Sequence, residues 1–510
     1  MAHAKVYSAT TLGISASLIE VEVDLSFGLV NFFIVGLPDK ATKESKDRIR
    51  AAFKNCGLRL PDRLVTVNLA PANLKKQDSL FDVPIAVALL QAAKLVTLDK
   101  EFLEETVFLG ELALDGQIRP VVGVVSIVHG IRSMGKKRVI VPMKNVHEAR
   151  LIEGVEVIGV ENLIQLVAWL RAEIEIKPAF IDIKKLLDVQ QKMLEDFSQV
   201  KGQRQAKRAL QLAAAGWHNT LFIGSPGGGK TMLAKRLPTI LPRLSFEQVL
   251  ETTKIYSVAG MLTQDNLVYA RPFRSPHHTI SQVGLVGGGS NPHPGEISLA
   301  HNGVLFLDEL TEFSRSTVEA LRQPLEEKVV HISRAHYSVD FPASFLLIAA
   351  LNPCPCGYHG DESKKCSCNP LMIEKYLGKL SGPLLDRIDL HVHVASLSYD
   401  EVKSTEIKEK TSAEIKVSVD SAREFSRQRQ GEIPNGLLSP DQIEKYCVLT
   451  DAAEALVKKM FDRLGLSMRS YHKILKLART IADFEQSEKI QEHHLKEAFS
   501  YRCFDRQKSV

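Results

Sequence analysis

Gly224-Ser225-Pro226-Gly227-Gly228-Gly229-Lys230-Thr231 has the residue types and spacing of a phosphate cradle. The stretch fits G-x-x-x-x-G-K-[ST] at every fixed position. It follows the apolar run Leu221-Phe-Ile and opens onto the helical pattern Met232-Leu-Ala-Lys-Arg-Leu, the strand–loop–helix context the motif needs. Glycines let backbone N–H groups close around phosphates, Lys230 reaches the outer phosphates as a point charge, and the Thr231 hydroxyl ligates Mg²⁺. A helix N-terminus behind the loop adds partial positive charge. The expected ligand is therefore ATP with Mg²⁺. Gly303-Val-Leu-Phe-Leu-Asp308-Glu309 is a second strand pattern, four apolar residues ending in two acids. Ligands gather at the carboxyl ends of strands in an open α/β sheet, so Asp308 is expected to hold Mg²⁺ and Glu309 to orient and deprotonate the attacking water. Phe345-Leu-Leu-Ile-Ala-Ala-Leu-Asn352 ends a third buried strand in an amide able to bond both water and γ-phosphate.

Four of the seven cysteines, Cys354, Cys356, Cys366 and Cys368, crowd into one polar loop, whereas Cys56, Cys447 and Cys503 stand alone. Two Cys-x-Cys pairs supply four thiolates, which matches the tetrahedral demand of a structural Zn²⁺ and leaves no open catalytic position. Such clustering points to metal binding in a reducing compartment rather than to a disulfide framework. Free or redox-active thiols are the alternative, as is a site in which His359 replaces one sulfur.

Residues 329–342 alternate apolar and polar on both sides of a short centre, the pattern of a β-hairpin. The centre carries Arg334 and His336, a permanent cation and a titratable ring among small neighbours. That set suits tracking of a DNA backbone without base readout. Arg271, Arg274, His277 and His278 are expected to form a second polar loop of the same kind.

These residues need an α/β scaffold with a parallel sheet. Residues 1–175 alternate β-branched runs with helical segments (43–56, 83–95, 124–134 and 161–171) and read as a separate α/β or α+β domain. A polar linker is expected at 176–200 and a helix at 202–215. The nucleotide-binding core then spans 201–395 with the four-cysteine insert at 354–368, and a helical C-terminal domain occupies 396–510. At 510 residues, 45% apolar and 25% charged, the chain has the composition of a soluble multidomain protein. Its net charge of +5 neither demands nor excludes a nucleic-acid partner. No apolar run approaches the roughly 18 residues of a membrane span, and the first residues lack the design of a secretory signal. The expected location is cytoplasmic, with no membrane partner.

Gly110-Glu-Leu-Ala-Leu-Asp-Gly-Gln-Ile-Arg-Pro-Val-Val-Gly, the helix after it and Lys137-Arg-Val-Ile-Val-Pro resemble the proteolytic domain of Lon-type proteases. Those enzymes use a Ser–Lys dyad, and the two positions fall here on Leu80 and Val125, which cannot do the chemistry. Ser79 and Ser126 lie one residue away, a rotation of about 100° on a helix. The resemblance implies an inactive domain used for binding or assembly, and no protease activity. Asn352 stands at the sensor 1 position of AAA+ ATPases. Ser381-Gly-Pro-Leu-Leu-Asp386-Arg387-Ile-Asp389-Leu resembles the arginine-finger segment of the magnesium-chelatase and MCM branch, which implies that Arg387 acts in trans on a neighbour's γ-phosphate. Arg469, in the first turn of the helix that starts Leu466-Ser-Met-Arg469, is the sensor 2 residue by the same resemblance.

Together with Arg271-Pro-Phe-Arg-Ser-Pro-His-His-Thr-Ile-Ser, Pro294-Gly-Glu-Ile-Ser-Leu-Ala-His-Asn-Gly, Asn352-Pro-Cys-Pro-Cys-Gly and Tyr471-His-Lys-Ile-Leu-Lys-Leu-Ala-Arg, the chain resembles the YifB/ComM family of Mg-chelatase-like AAA+ ATPases. That resemblance implies an ATPase core, an N-terminal Lon-like domain and a C-terminal helical lid. It also implies a homo-hexameric ring that acts as a DNA helicase on single-stranded or branched DNA, moving junctions in natural transformation. The rival readings are a MoxR-like protein-remodelling chaperone, which offers no account of the cysteines, and a magnesium-chelatase subunit, which is not expected to carry the Lon-like domain.

Overall fold

The computed structural model describes residues 2–74, 76, 79–180, 195–262, 267–289, 292–334, 337–361, 364–396, 409–464 and 466–502. His336, Cys503 and linker residues 181–194 lie outside the described residues. The chain divides into two compact units. The first comprises Met1–Val189, Phe246–Tyr269 and Ser333–Asp340; the second comprises Gln190–Ser245, Ala270–Ile332 and Phe341–Val510.

In the first unit, strands β1 (Ala2–Leu12), β2 (Ser15–Ser26), β3 (Asn31–Val35), β4 (Leu64–Ala70), β5 (Thr106–Phe108), β6 (Arg138–Pro142) and β7 (Glu156–Val160) form one sheet in the order β3-β4-β2-β1-β5-β6-β7. β1 and β2 pair antiparallel from Ala2↔Leu25 to Leu12↔Ser15. Along β2 the side chains of Ile19, Val21, Val23 and Leu25 are buried while Glu20, Glu22 and Asp24 alternate with them on the other face, as the period of two requires. Helix α1 (Lys40–Asn55) is capped by the Asp39 carboxylate, and helix α2 (Asp82–Ala92) is apolar and buried on nearly every side. Helix α3 (Val124–Ser133) packs in the same core. Helix Phe246–Val258 belongs to this unit although sequence order puts it within 201–395. Gly123 N–H donates to the Ser257 carbonyl at 3.1 Å, and the Glu148 carboxylate accepts from Ser257 Oγ at 2.9 Å and Asn145 Nδ2 at 3.1 Å.

In the second unit, helix α4 (Arg204–Gly216) precedes β8 (Thr220–Gly224), and helix α5 (Lys230–Arg236) follows it. Strands β9 (Phe273–Arg274), β10 (Val304–Leu307), β11 (Val329–Arg334), β12 (Tyr337–Pro342), β13 (Leu346–Leu351) and β14 (Leu390–Val394) come next, with helix α6 (Arg322–Glu327) between β10 and β11. Five strands make a sheet in the order β9-β10-β13-β8-β14 in which every neighbouring pair is parallel. β8, β10 and β13 are buried at every residue, which is why they read in sequence as unbroken apolar runs. β11 and β12 pair apart as a two-stranded hairpin, of which Ser333–Asp340 count with the first unit. Helices α7 (Ser412–Gln430), α8 (Met468–Phe484) and α9 (Glu492–Ser500) are the ones of its helical C-terminal region that bear on the site. In α8, Arg479 is wholly buried, bonded to Asp483 and to the Glu488 carbonyl. Among the described residues, no helix is long and apolar enough to cross a membrane.

Candidate functional site

β8 delivers Gly224 to the carboxyl edge of the sheet, where a Cβ on Gly224 would stand 2.1 Å from the Val394 carbonyl oxygen. Only glycine permits that approach of the β14 backbone. The loop then turns through Gly227 (φ +82°) and Gly229 (φ +87°), with open space around both, and α5 starts at Lys230. Lys230 is buried; its Nζ donates to the carbonyls of Gly224 (2.6 Å) and Ser225 (3.0 Å) and to Asn352 Oδ1 (3.1 Å). Burial pushes its ammonium below the ordinary lysine range, against the opposing pull of Asp308 and Glu309. Thr231 Oγ1 donates to Asp308 Oδ2 at 2.6 Å, and the Glu309 N–H donates to Asp308 Oδ1 at 3.0 Å. Glu309 has φ +52°, a left-handed conformation rare outside glycine that clusters at functional sites. Its Oε2 lies 3.6 Å from His278 Nδ1. The ends of β8, β10 and β13 thus bring together Lys230, Thr231, Asp308, Glu309 and Asn352. A hydroxyl beside a carboxylate is a donor set that fits Mg²⁺.

Arg387 and Arg469 occupy the other end of the sheet. β8 and β14 run parallel in register from Thr220↔Leu390 to Gly224↔Val394. Arg387 precedes the start of β14, its carbonyl accepting from Asn219 Nδ2 at 3.2 Å, whereas Lys230 follows the end of β8. The five residues of β8 separate the two by about 16 Å, beyond the reach of an arginine side chain. Arg387 Nη2 instead lies 2.6 Å from Glu326 Oε1, and Arg469 Nη2 bonds the same oxygen. Two residues along, the buried Asp389 carboxylate lies 2.8 Å from Lys473 Nζ and 3.6 Å from His218 Nδ1. Burial alone would raise Asp389, but Lys473 and His218 hold it far below the usual carboxylate range.

In the cysteine loop the Sγ atoms of Cys354 and Cys356 are 3.3 Å apart, those of Cys356 and Cys366 3.5 Å, and those of Cys354 and Cys366 3.7 Å. With Cys368 they form one group whose sulfurs all lie within 4.8 Å of one another. Four sulfurs at Zn–S bonds of about 2.3 Å stand about 3.8 Å apart, so the group fits a tetrahedral ion after small adjustment. The N–H groups of Tyr358 and Ser367 hold the Cys356 thiol down to about 5. His359 is exposed and outside the group.

Comparison with known proteins then decides the family. Residues 196–402 match the family described as magnesium chelatase, subunit ChlI; residues 21–145 match subunit ChlI of Mg-chelatase; and residues 409–502 match the magnesium chelatase subunit ChlI C-terminal family. Competence protein ComM of Haemophilus influenzae is 42% identical over 511 residues, spanning 99% of this chain and 98% of that protein. The chain belongs to the YifB/ComM family. Uncharacterized protein YifB of Escherichia coli is 42% identical over 502 residues, 98% of this chain and 97% of its own. At greater distance, maternal DNA replication licensing factor mcm6 of Xenopus tropicalis is 22% identical over 305 residues, 55% of this chain and 32% of its own. This member is accordingly a ComM-type, Mg-chelatase-like ATPase of the AAA+ class.

Two expectations for a second polar loop in this YifB/ComM protein need correction. Arg271 is paired with the carbonyls of Pro242 (2.6 Å) and Asn302 (2.7 Å), its guanidinium lying over the Trp217 ring. Burial pushes it down to about 10. Arg274 is clamped by Glu296 at 2.6 and 2.7 Å. Both cations are spent within the fold, and His278 stands beside Glu309. Arg334 is exposed at the end of β11. In the first unit Leu80 and Val125 are buried apolar residues, the Ser79 hydroxyl bonds Glu111, and Ser126 Oγ is buried without a hydrogen-bond partner among the described residues. Glu326 was missed by sequence reasoning. One of two adjacent acids on a six-residue helix carries no motif, and only the fold brings it to the two arginines.

Proposed function

We propose that this YifB/ComM-family ATPase is a homo-hexameric, ATP-driven DNA motor that moves branched junctions, of the kind used in recombination during natural transformation. The observation that carries the reading is the separation of the arginine pair from the phosphate loop of its own chain, because hydrolysis then needs a second subunit. ATP would lie with its phosphates on the 224–231 loop and Lys230. Mg²⁺ held by Thr231 and Asp308 would neutralise charge across the β- and γ-phosphates. Glu309 takes the proton of a water that Asn352 helps to align; the water oxygen bonds to the γ-phosphorus as the bond to the β-phosphate oxygen breaks, and ADP and phosphate leave. Arg387 and Arg469 of the adjoining subunit stabilise the charge that develops. In other NTPases such fingers contribute roughly 10³–10⁵ in rate, about 4–7 kcal/mol. Cys354, Cys356, Cys366 and Cys368 hold a structural Zn²⁺. DNA is the favoured track because Arg334 stands exposed on a hairpin and a more distant relative carries a DNA-replication name.

The test is the ATPase rate with and without single-stranded, duplex and branched DNA. Stimulation, greatest on branched DNA, is expected. A rate that no DNA alters would overturn the motor reading and favour protein remodelling.

A further inference from the structure

Glu326 is the penultimate residue of the short helix α6, whose Pro324 and Leu325 are buried and fix it to the core. Its carboxylate is half exposed, and one of its oxygens, Oε1, receives both Arg387 Nη2 and Arg469 Nη2. The backbones of these arginines are tied together independently by Asp389 and Lys473. Asp389 lies two residues after Arg387, Lys473 one helical turn after Arg469 on the same face of α8, and they meet at 2.8 Å. Two guanidiniums with no anion between them repel. With Glu326 between them they converge on one point, each keeping donors to spare, since a guanidinium offers five N–H groups in a fixed fork. Arg387 Nε is buried with no hydrogen-bond partner among the described residues. A carboxylate and a terminal phosphate present oxygens of like charge and spacing to such a fork.

We infer that Glu326 is the positioning residue that holds Arg387 and Arg469 as one preformed fork for a single γ-phosphate on the neighbouring subunit. This rests on the ring reading above. Glu326 does not touch substrate. It acts by sparing the two long side chains the ordering they would otherwise undergo at each turnover, so its loss is felt in the chemical step rather than in nucleotide binding.

The full-length protein carrying Glu326→Ala is expected to lose tenfold or more in kcat for ATP, with KM unchanged within about twofold. Glu326→Gln, whose amide oxygen still accepts from both arginines but carries no charge to hold them together, should recover part of the loss. Mixed rings locate the effect. Glu326→Ala chains mixed with Lys230→Ala chains should regain activity, because an intact phosphate loop then meets intact arginines across the boundary. A wild-type or raised kcat in Glu326→Ala overturns the inference. So does failure of this mixture to recover while Arg387→Ala with Lys230→Ala does recover, which would place Glu326 in service of its own subunit's nucleotide. If neither mixture recovers although subunits exchange, the ring reading itself falls and takes the fork with it.

Discussion

Gly357 rests on Pro226 so closely that a Cβ on Gly357 would come within 2.6 Å of Pro226 Cδ. The cysteine loop is thus a wall of the phosphate loop, joined to it again through Asp361, which bonds Ser225 Oγ and accepts from Ser396 Oγ at 2.7 Å. Gly357 also has φ +87°, so alanine there meets both the clash and a left-handed penalty of about 1–2 kcal/mol. Gly357→Ala is expected to weaken ATP binding, and stripping the Zn²⁺ proposed for the four cysteines with a chelator should do the same. Nucleotide titration paired with zinc analysis checks both. Unchanged ATP affinity after metal removal would separate the two loops functionally.

Glu309 lies at the end of β10 beside Asp308, and the role proposed for it is in the chemical step. Glu309→Gln is expected to bind ATP with near-native affinity and to hydrolyse it at least a hundredfold more slowly, the usual scale for losing a general base. Single-turnover hydrolysis with labelled ATP measures this directly. A native rate would remove Glu309 from the chemistry.

The Asp389–Lys473 pair predicts a stability defect with a defined pH dependence. Lys473→Met takes the nearest cation from a buried carboxylate and leaves it His218 and the Asn219 N–H, a loss of about 3–5 kcal/mol. Asp389 is depressed in the folded protein, so the contribution is fully present above the ordinary aspartate value of about 3.9 and fades as the pH falls below it. Denaturant melts should therefore show a gap between parent and variant that is constant near neutrality and narrows in acid. A pH-independent gap would mean that packing, not charge, sets the cost.

Strand identity was legible because β8, β10 and β13 are buried on both faces, so their apolar runs are unbroken and the residues that end them, Gly224, Asp308 and Asn352, stand out. β2 was legible for the opposite reason, its alternation of Ile19, Val21 and Val23 with Glu20, Glu22 and Asp24. What local pattern could not carry was pairing at long range. Arg271 and Arg274 look like free cations in sequence, and their partners lie at Pro242, Asn302 and Glu296. Helix Phe246–Val258 gives no sign in its own residues that Ser257 will meet Gly123.

Arg334 bears the test of the DNA track. It ends β11 with its side chain exposed, and Val330 and Ile332 on the same strand are buried, so the hairpin is anchored by its apolar positions and not by Arg334. Removing the cation should leave folding and basal ATP hydrolysis intact. Each lost phosphate contact lowers the slope of log affinity against log salt by roughly 0.7 on a single strand, multiplied by the number of subunits that grip at once. Arg334→Ala is therefore expected to bind DNA more weakly and with a shallower salt dependence, and to lose DNA-stimulated ATPase and strand displacement together. Affinity measured across a salt series, alongside unwinding of a branched substrate, checks it. If the variant unwinds as fast as the parent with the same salt slope, the hairpin has no part in gripping DNA and the track must be sought elsewhere in the ring.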